Sequence, residues 1–485
     1  MNSRIFRSSL ILGVLCAACA HPSAITKPID TTGTTNNGPV AQAWVTTADQ
    51  ARIFSQEPGG VPISTGTDTS STVLTVDAST AYQTMAGFGA AMTDASAYLI
   101  ETKMSSTQRD ALMQDLFGRN PGIGLSFMRV PMGASDFSLR QYSYDDVGAN
   151  QTDSTLAHFS IAPDSAYKIP ALKQALAINP SLMLMASPWS APGWMKTTGS
   201  LIKGTLLPQY YDSFANYFAR FIDAYKASGI PISAITIQNE PHFEPADYPG
   251  MRMDDTMRAT VIGQHVGPLL ATRAPNVKIL DWDHNWDEPN APLTVLANTQ
   301  AAQYVSGVAW HCYAGDVSAQ QAVHDQHPDK ETWFTECSGG GWSGTWADNL
   351  KWFVGTLLIN STRGWSRGVL FWNLALDEND GPHTGGCGNC RGVVTINSTS
   401  GIVTRNVEYF ALAHASKFVR PGARRVASSS DVNGLQSVAF QNADDASKAL
   451  IVFNTAAAAR RFAVHDGSSW FRYTLPAGSV VTFSW

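Results

Sequence analysis

Two glutamates stand at the ends of short apolar runs that are far apart in the chain. Glu240 ends the segment 235–240 (ITIQNE), and Glu336 ends the segment 333–336 (WFTE). Carboxyl groups about 5–5.5 Å apart cleave a glycosidic bond by double displacement, whereas about 6.5–9.5 Å leaves room for a water and gives inversion. One carboxyl must be ionised to attack, and the other protonated to help the leaving oxygen depart. Either glutamate alone fits a salt bridge, but the two together predict a glycosidase pair.

The elements that must position these glutamates alternate regularly from residue 85 onward. Short apolar runs are separated by longer amphipathic segments, which is typical of parallel strands and crossover helices. The predicted strands are 85–92, 124–131, 181–187, 233–239, 277–283, 305–313, 331–337 and 367–374. Such a series predicts an α/β fold, a (β/α)8 TIM barrel. The two glutamates then follow the fourth and seventh strands, on opposite sides of the barrel mouth, where the active sites of such barrels lie.

Two helices of this barrel carry recognisable signals. Ser105 and Gln108 have the spacing of a capping box and precede an apolar segment that stops at Gly118. Aromatic residues recur at helical spacing between Phe214 and Tyr225. We interpret that stripe as a core-facing helix surface rather than a ligand site.

The two ends of the chain differ in composition from the barrel. Segment 21–41 is rich in Thr, Asn, Gly and Pro, which predicts a flexible linker. Short β-like runs fill 42–84 and return in 419–485. We therefore expect the catalytic barrel to span 85–418, with the N-terminal strands and the C-terminal domain forming one attached β-sandwich.

The N-terminus predicts export. Segment 1–20 combines Arg4 and Arg7 with a short apolar stretch and a small-residue site around Ala18 and Ala20. An alternative is a lipoprotein signal with Cys19 as the lipidated residue, although Cys16 is unusual at the first position of such a site. The expected location is secreted or periplasmic, or the cell envelope if Cys19 is an anchor. Nothing else in the sequence predicts a transmembrane segment.

The charge composition bears on the partner. The net charge is −6 and no dense block of Lys or Arg occurs. Nucleic acid is therefore not an expected partner, because phosphate binding needs clustered positive charge. The chain also has 14 Trp and 14 Tyr, most of which we assign to the core, although aromatic faces also stack on sugar rings.

Four cysteines lie beyond the export segment. Cys387 and Cys390 form a C-x-x-C without a second ligand pair, which predicts a small loop disulfide rather than a zinc site. Cys312 and Cys337 fall on neighbouring predicted strands and point away from the barrel centre. They are either paired or two buried free thiols, and we favour free thiols.

Longer stretches resemble one family of enzymes throughout the barrel and the C-terminal domain. They occur in order as MAGFGAAMTDA (85–95), FMRVPMGASDFSLRQYSYDD (127–146), MASPWSAPGWMKTTG (185–199), TIQNEP (236–241), WHCY (310–313), TECSG (335–339), WNLAL (372–376) and EYFALAHASKFVRPGARRV (408–426). They are similar to glycoside hydrolase family 30, the family of glucosylceramidase. The resemblance implies a barrel with a β-sandwich, retaining chemistry, no metal or organic cofactor, Glu240 as acid/base and Glu336 as nucleophile.

The resemblance also implies roles for residues that contact the sugar. Asp136 is expected to accept hydrogen bonds from hydroxyls of the terminal glucose, and Trp189 to wall its pocket. Asn239 is expected to bond the 2-hydroxyl, and Trp372 to form a further platform. A surface carboxylate, a turn amide or core tryptophans are the alternative interpretations.

Three more residues are expected around the nucleophile. By the resemblance, Arg129 keeps Glu336 ionised, with a purely structural salt bridge as the alternative, and Tyr313 donates a hydrogen bond to Glu336. Period-two alternation places His311 and Tyr313 on the same inward face of the sixth strand. We favour a packing role for His311 over a catalytic one.

The loops depart from the animal glucosylceramidase pattern. Segments 248–251 (YPGM), 283–287 (DHNWD) and 381–396 (GPHTGGCGNCRGVVTI) resemble the microbial branches, which include β-1,6-glucanases. The expected substrate is a β-glucoside or β-1,6-glucan. The alternatives are a xylosidase or xylanase of the same family, a non-catalytic carbohydrate-binding protein, and a structural lipoprotein.

Overall fold

The computed structural model describes residues 38–485. The predicted export segment 1–20, including Cys16 and Cys19, lies outside the described residues, as does most of the predicted linker 21–41. No helix within the described part of the chain is both long and apolar enough to cross a membrane.

Eight parallel strands close into a barrel, as predicted. In chain order they are Gly87–Ala91, Phe127–Pro131, Met183–Ser187, Ala234–Thr236, Lys278–Asn285, Val305–His311, Glu331–Glu336 and Ser366–Asn373. Each strand pairs with the next, and the eighth pairs with the first. Most of their residues are buried because both faces of the strands are covered. One apolar side chain from seven of them fills the interior, namely Phe127, Met185, Ala234, Leu280, Ala309, Trp333 and Leu370.

Helices cover the outside of the barrel. The α-helices are Asp94–Thr102, Ser106–Phe117, Lys168–Ile178, Tyr211–Ala227, Asp255–Thr260, Gly267–Arg273, Asn290–Ala297, Thr299–Ala302, Ser318–Gln326, Trp346–Leu350, Ser361–Arg363 and Val407–Ser416. Val261–Val266 and Lys351–Asn360 are π-helical, and Ala162–Ala166, Gly193–Met195 and Pro208–Tyr210 are 3-10 turns. Ser105 and Gln108 form the predicted capping box. The predicted aromatic stripe is buried on the inner face of Tyr211–Ala227.

Strands from both ends of the chain form the second layer. A 12-stranded sheet contains Val40–Thr46, Ser55–Gln56, Val61–Pro62, Ser64–Thr65, Val73–Thr84, Arg424–Ser428, Asp431–Val432, Leu435–Gln441, Lys448–Asn454, Arg460–Asp466, Ser469–Leu475 and Val480–Ser484. Val40–Thr46 pairs antiparallel with Val480–Ser484, with Trp44 opposite Thr482. Val73–Thr84 pairs with Arg424–Ser428 and Arg460–Asp466. The N-terminal strands therefore complete the C-terminal sheet, as predicted, and the curled sheet encloses its own apolar core.

Short strands and two disulfides lie at the barrel mouth. Gly339–Gly340 pairs with Cys390–Arg391, and Ala375–Leu376, Val394–Ile396 and Val403–Arg405 form a small sheet. The predicted disulfide Cys387–Cys390 is present. The prediction of free thiols at Cys312 and Cys337 is wrong, because these residues form a disulfide with a Cα–Cα distance of 5.5 Å. The ends of the sixth and seventh strands are adjacent, so two outward-pointing side chains meet there.

Candidate active site

The two glutamates meet at the carboxyl end of the barrel. One oxygen of Glu240, one oxygen of Glu336 and an imidazole nitrogen of His311 all lie within 4.8 Å of one another. They border a cavity of about 360 Å³, lined by Asp136, Trp189, Asn239, Glu240, Phe243, Tyr248, His284, Asn285, Tyr313, Glu336, Trp342, Trp372, Cys387 and Cys390. Seven of the nine residues predicted from the sequence are in this lining. The other two, Arg129 and His311, are fully buried against the carboxylates.

Glu336 is the last residue of the seventh strand and is held by two donors. The Arg129 guanidinium forms an ion pair with one oxygen of Glu336, and the Tyr313 hydroxyl donates to the other at 2.9 Å. Arg129 also lies over the Trp189 and Trp372 rings, with its guanidinium carbon 4.7 and 5.6 Å from their centroids. These contacts match the predicted neighbours of Glu336.

Glu240 adopts a left-handed backbone conformation just beyond the fourth strand. Its φ is 46°, which is uncommon for a residue with a side chain, and its backbone N–H donates to the Asp283 carbonyl at 3.0 Å. The His311 Nδ1 lies 3.0 Å from a Glu240 oxygen. The Nε2 of His311 lies 3.0 Å from an Asp283 oxygen, so both of its ring nitrogens contact carboxylates.

Asp283 contacts both Arg129 and His311, the residues that pair with the two glutamates. The sequence motifs did not identify it as a site residue. Its side chain is fully buried, and it accepts hydrogen bonds from five side chains at 2.6–3.0 Å, namely Arg129, Ser187, Thr236, His311 and Thr335. Burial opposes ionisation, but Arg129 and His311 lower the pKa of Asp283 below its usual range. The carboxylate is thereby kept ionised and holds both cationic groups in place.

The pKa values of the two glutamates are linked through His311. Burial raises the pKa of Glu336, against the charges of His311 and Arg129. Burial also acts on Glu240, but the hydrogen bond from His311 lowers its pKa. His311 has a pKa raised to about 9, despite burial, by Glu336, Asp283 and Glu240. The free site thus favours a proton on His311 facing an ionised Glu240, and one hydrogen bond joins the two atoms that can carry that proton.

The other predicted residues form one wall of the cavity. Trp189 and Trp372 stack with centroids 5.1 Å apart, and Asn239 accepts a hydrogen bond of 2.6 Å from Arg129. Asp136 is buried, and its Oδ1 has no hydrogen-bond partner among the described residues. Burial, together with the charges of Glu336 and Glu240, raises the pKa of Asp136 well above its usual value. Thr384 holds this loop by donating from its backbone N–H to the Asp136 carbonyl at 2.8 Å.

Glu240, His311 and Glu336 are also close enough to share a cation. Their donor atoms are already engaged: Arg129 neutralises Glu336, and His311 contacts Glu240 and Asp283. A cation would have to displace these partners. The arrangement suits two carboxylates acting on a bond between them, which is the geometry of double displacement.

Two family models match this chain. The TIM-barrel domain of glycosyl hydrolase family 30 matches residues 85–419, and the β-sandwich domain of the same family matches 422–483. The endo-1,6-β-D-glucanase of Aspergillus fumigatus is 38% identical over 409 residues, which cover 79% of this chain and 81% of that protein. The lysosomal acid glucosylceramidase of Mus musculus is 31% identical over 448 residues, covering 85% of this chain and 83% of that protein.

A solved structure of a related enzyme has the same fold. The structure of an endo-β-1,6-glucanase superimposes with a TM-score of 0.85 at 32% sequence identity, covering 92% of this chain and 99% of that one. Barrel, sandwich and sequence therefore agree along nearly the whole described chain. The chain belongs to glycoside hydrolase family 30, and it is a glycoside hydrolase that acts on β-glucosidic bonds.

Proposed function

We propose that this enzyme hydrolyses β-1,6-linked glucan with retention, using Glu336 as nucleophile and Glu240 as acid and base. The observation that carries the chemistry is the approach of the two carboxylates to within 4.8 Å. This close approach favours direct attack by one carboxylate over attack by a water held between the two. The substrate is inferred from the endo-1,6-β-glucanases among the relatives and from the microbial type of loop.

The first step forms a bond from Glu336 to the anomeric carbon as the bond to the leaving oxygen breaks. Arg129 and Tyr313 support the carboxylate that attacks. Glu240 gives its proton to the leaving oxygen, so that the leaving group departs as a neutral alcohol. Since the free site holds this proton at the His311–Glu240 hydrogen bond, we assign His311 the role of keeping it available to Glu240.

The second step reverses the role of Glu240. The ionised carboxylate removes a proton from an incoming water, whose oxygen attacks the anomeric carbon. The bond to Glu336 breaks, and the sugar leaves with its original configuration. Asp136, Trp189, Asn239 and Trp372 are proposed to hold the sugar whose anomeric carbon reacts.

Glutamine substitutions test these roles. Glu240→Gln should slow hydrolysis of gentio-oligosaccharides by about 10²–10⁴-fold, because an unactivated leaving group needs the proton. With a nitrophenyl β-glucoside, whose leaving group departs without a proton, the first step should lose much less. Glu336→Gln should abolish turnover of both substrates. Equal losses on the two substrates for Glu240→Gln would contradict its role.

Product analysis tests the substrate. Wild-type enzyme is incubated with gentio-oligosaccharides, a β-1,6-glucan and glucosylceramide, and the first anomer released is identified by NMR. We expect β-anomers from the glucan and little cleavage of glucosylceramide. An initial α-anomer would contradict retention. Exclusive cleavage of glucosylceramide would contradict β-1,6-glucan as the substrate.

We also propose the division of the chain and its location. Segment 1–20 is proposed as an export signal, 21–41 as a linker, 42–84 and 419–485 as the sandwich, and 85–418 as the catalytic barrel, except that the first sandwich strand already begins at Val40. A secreted or periplasmic enzyme, or one anchored through Cys19, would meet a polymeric glucan outside the cytoplasm. Mass spectrometry of the mature N-terminus distinguishes cleavage after residue 20 from lipidation of Cys19.

A further inference from the structure

The fifth barrel strand is irregular where it reaches the cavity. Its register with the sixth strand shifts between Trp282 and His284, and both Trp282 and Asp283 have positive φ, 77° and 53°. A bulge of this kind inserts a residue and re-aims the side chains that follow. Asp283 is turned into the network beneath the carboxylates, and the next side chain, His284, faces the cavity.

His284 is a buried polar side chain without a partner for one ring nitrogen. The residue is 7% exposed and lines the cavity. Its Nδ1 makes no hydrogen bond to any residue of the described chain. Buried polar groups in proteins are nearly always hydrogen-bonded, so a histidine at the cavity wall whose ring has no hydrogen-bond partner among the described residues points to a ligand group.

The position of His284 identifies which part of a substrate it meets. Of the residues proposed to hold the reacting sugar, Asp136 and Trp189 follow the second and third strands, and Trp372 lies on the eighth. His284 lies across the cavity, at the end of the fifth strand. Glu240, which is proposed to protonate the leaving oxygen, ends the segment next to it, and its charge acts directly on His284. The side of His284 is therefore the leaving-group side.

The protonation state of His284 suits a hydroxyl group. Burial lowers the pKa of His284, and Glu240 only partly offsets this effect. A neutral imidazole carries one N–H donor and one acceptor nitrogen. A sugar hydroxyl can donate and accept as well, whereas the hydrocarbon of a lipid aglycone can do neither.

We propose that His284 is a specificity-determining residue that hydrogen-bonds a hydroxyl of the leaving-group sugar. The inference rests on the proposed hydrolysis of β-1,6-glucan and adds a named contact for the sugar beyond the scissile bond. It assigns the preference for a saccharide leaving group to a residue outside the catalytic pair. The bulge of the fifth strand thus places Asp283 among the buried groups around the two glutamates and His284 against the substrate.

Paired substitutions test the hydrogen bond separately from the packing. His284→Leu keeps most of the side-chain volume and removes both polar atoms, whereas His284→Gln keeps a donor and an acceptor. For gentiotriose, His284→Leu should lower kcat/KM by about 10- to 100-fold, the loss expected when a buried polar contact is removed. For nitrophenyl β-glucoside, which has no leaving-group sugar, the loss should stay below about 3-fold. His284→Gln should recover part of the gentiotriose activity.

The two substrates keep the possible failures apart. Thermal unfolding of His284→Leu like that of the wild type shows that the variant is folded, and His265→Ala, at a partly exposed histidine paired with Asp212, is the matched control for both substrates. Equal losses on both substrates, or no loss on gentiotriose, would overturn the role of His284 alone. A wild-type enzyme that cleaves nitrophenyl glucoside but no gentio-oligosaccharide would overturn the proposed glucan function and this inference with it.

Discussion

Asp283 and Asp281 are two buried aspartates on one strand with opposite surroundings. Asp283 faces the carboxylate pair, whereas Asp281 pairs with Arg258 at 2.9 Å on the helix side of the barrel. Removing one charge from a buried pair costs about 3–5 kcal/mol in the free energy of unfolding. The same Asp→Asn change at each position should therefore destabilise the protein. Only the change at Asp283 acts on the groups that surround Glu240 and Glu336.

We predict that Asp283→Asn changes the pH dependence of catalysis and that Asp281→Asn does not. Without the carboxylate, His311 loses one of the groups that raise its pKa, so the alkaline limb of the kcat profile should move to lower pH. The measurement is kcat against pH for both variants with a gentio-oligosaccharide, together with urea unfolding. Identical shifts in both variants would mean that Asp283 acts only through stability.

The pKa of His311 also predicts the alkaline behaviour of the wild-type enzyme. The folded value of about 9 is above the ordinary value of 6.5, so the proton on His311 stabilises the native state. This contribution is complete below pH 6.5 and is lost as the pH rises through about 9. His311→Gln should flatten the dependence of unfolding free energy on pH in this window. An unchanged slope in the variant would contradict the assigned protonation.

The motifs shared with the family selected most residues of the site, but they did not select Asp283 and His284. Tyr313 and Arg129 contact Glu336 as expected, although their catalytic roles remain proposals. Asp283 and His284 were noted only as part of a segment typical of microbial relatives. Counting alternately from the inward-facing Leu280 turns Asp283 outward, because the bulge that reverses its direction leaves no pattern in the residue types.

At the scale of elements, the disulfide Cys312–Cys337 fastens two strand ends at the site. Cys312 precedes Tyr313, and Cys337 follows Glu336, so the bond joins the segments that carry the two hydrogen-bonded residues. Strand alternation indicated that both thiols point outward but not whether neighbouring ends come within bonding distance. The prediction of free thiols was wrong for that reason. The disulfide Cys387–Cys390 was predictable because its two cysteines are only three residues apart in the same loop.

We predict that replacing both cysteines in Cys312→Ala/Cys337→Ala lowers both stability and kcat. The bond closes a loop with a sequence separation of 25, for which chain entropy gives about 3–4 kcal/mol. The kcat should fall because Tyr313 and Glu336 lose a fixed relative position. The control is Cys387→Ala/Cys390→Ala, whose separation of 3 gives a smaller entropic effect and whose position in the cavity wall should affect KM more than kcat. Thermal unfolding and initial rates decide between these patterns.

The eight barrel strands were readable in the sequence because buried strands leave short, mostly apolar runs that alternate with longer amphipathic segments. The same rule does not apply to the sandwich, whose shortest strands, such as Ser55–Gln56 and Ser64–Thr65, contain two residues each. The π-helical segments Val261–Val266 and Lys351–Asn360 were also not predicted, since one additional residue per turn leaves the apolar composition unchanged.

On the scale of the whole molecule, His414 ties the barrel to the sandwich. It belongs to the helix Val407–Ser416, and its ring nitrogens lie 2.8 Å from the Thr46 hydroxyl and 2.9 Å from the Thr482 hydroxyl, on two paired sandwich strands. Phe54 packs edge-on against the ring, with centroids 5.1 Å apart. A neutral imidazole can donate to one hydroxyl and accept from the other, so an uncharged His414 satisfies both contacts.

We predict that His414 makes the stability of the contact between barrel and sandwich sensitive to acid. Burial lowers the pKa of His414 from 6.5 to about 3 in the folded protein, so its contribution to stability is complete above pH 6.5 and is lost as the pH falls toward 3. Across this window the free energy of unfolding should fall by up to about 1.4 kcal/mol per pH unit from this group. His414→Gln, which can still donate and accept but cannot be protonated, should be less stable at pH 7 and lose less stability on acidification. Urea unfolding at pH 7, 5.5 and 4 measures both slopes. Parallel slopes for wild type and His414→Gln would place the acid sensitivity elsewhere. A histidine that is neutral in the folded state and charged in the unfolded state takes up a proton on unfolding, so its removal must change the slope.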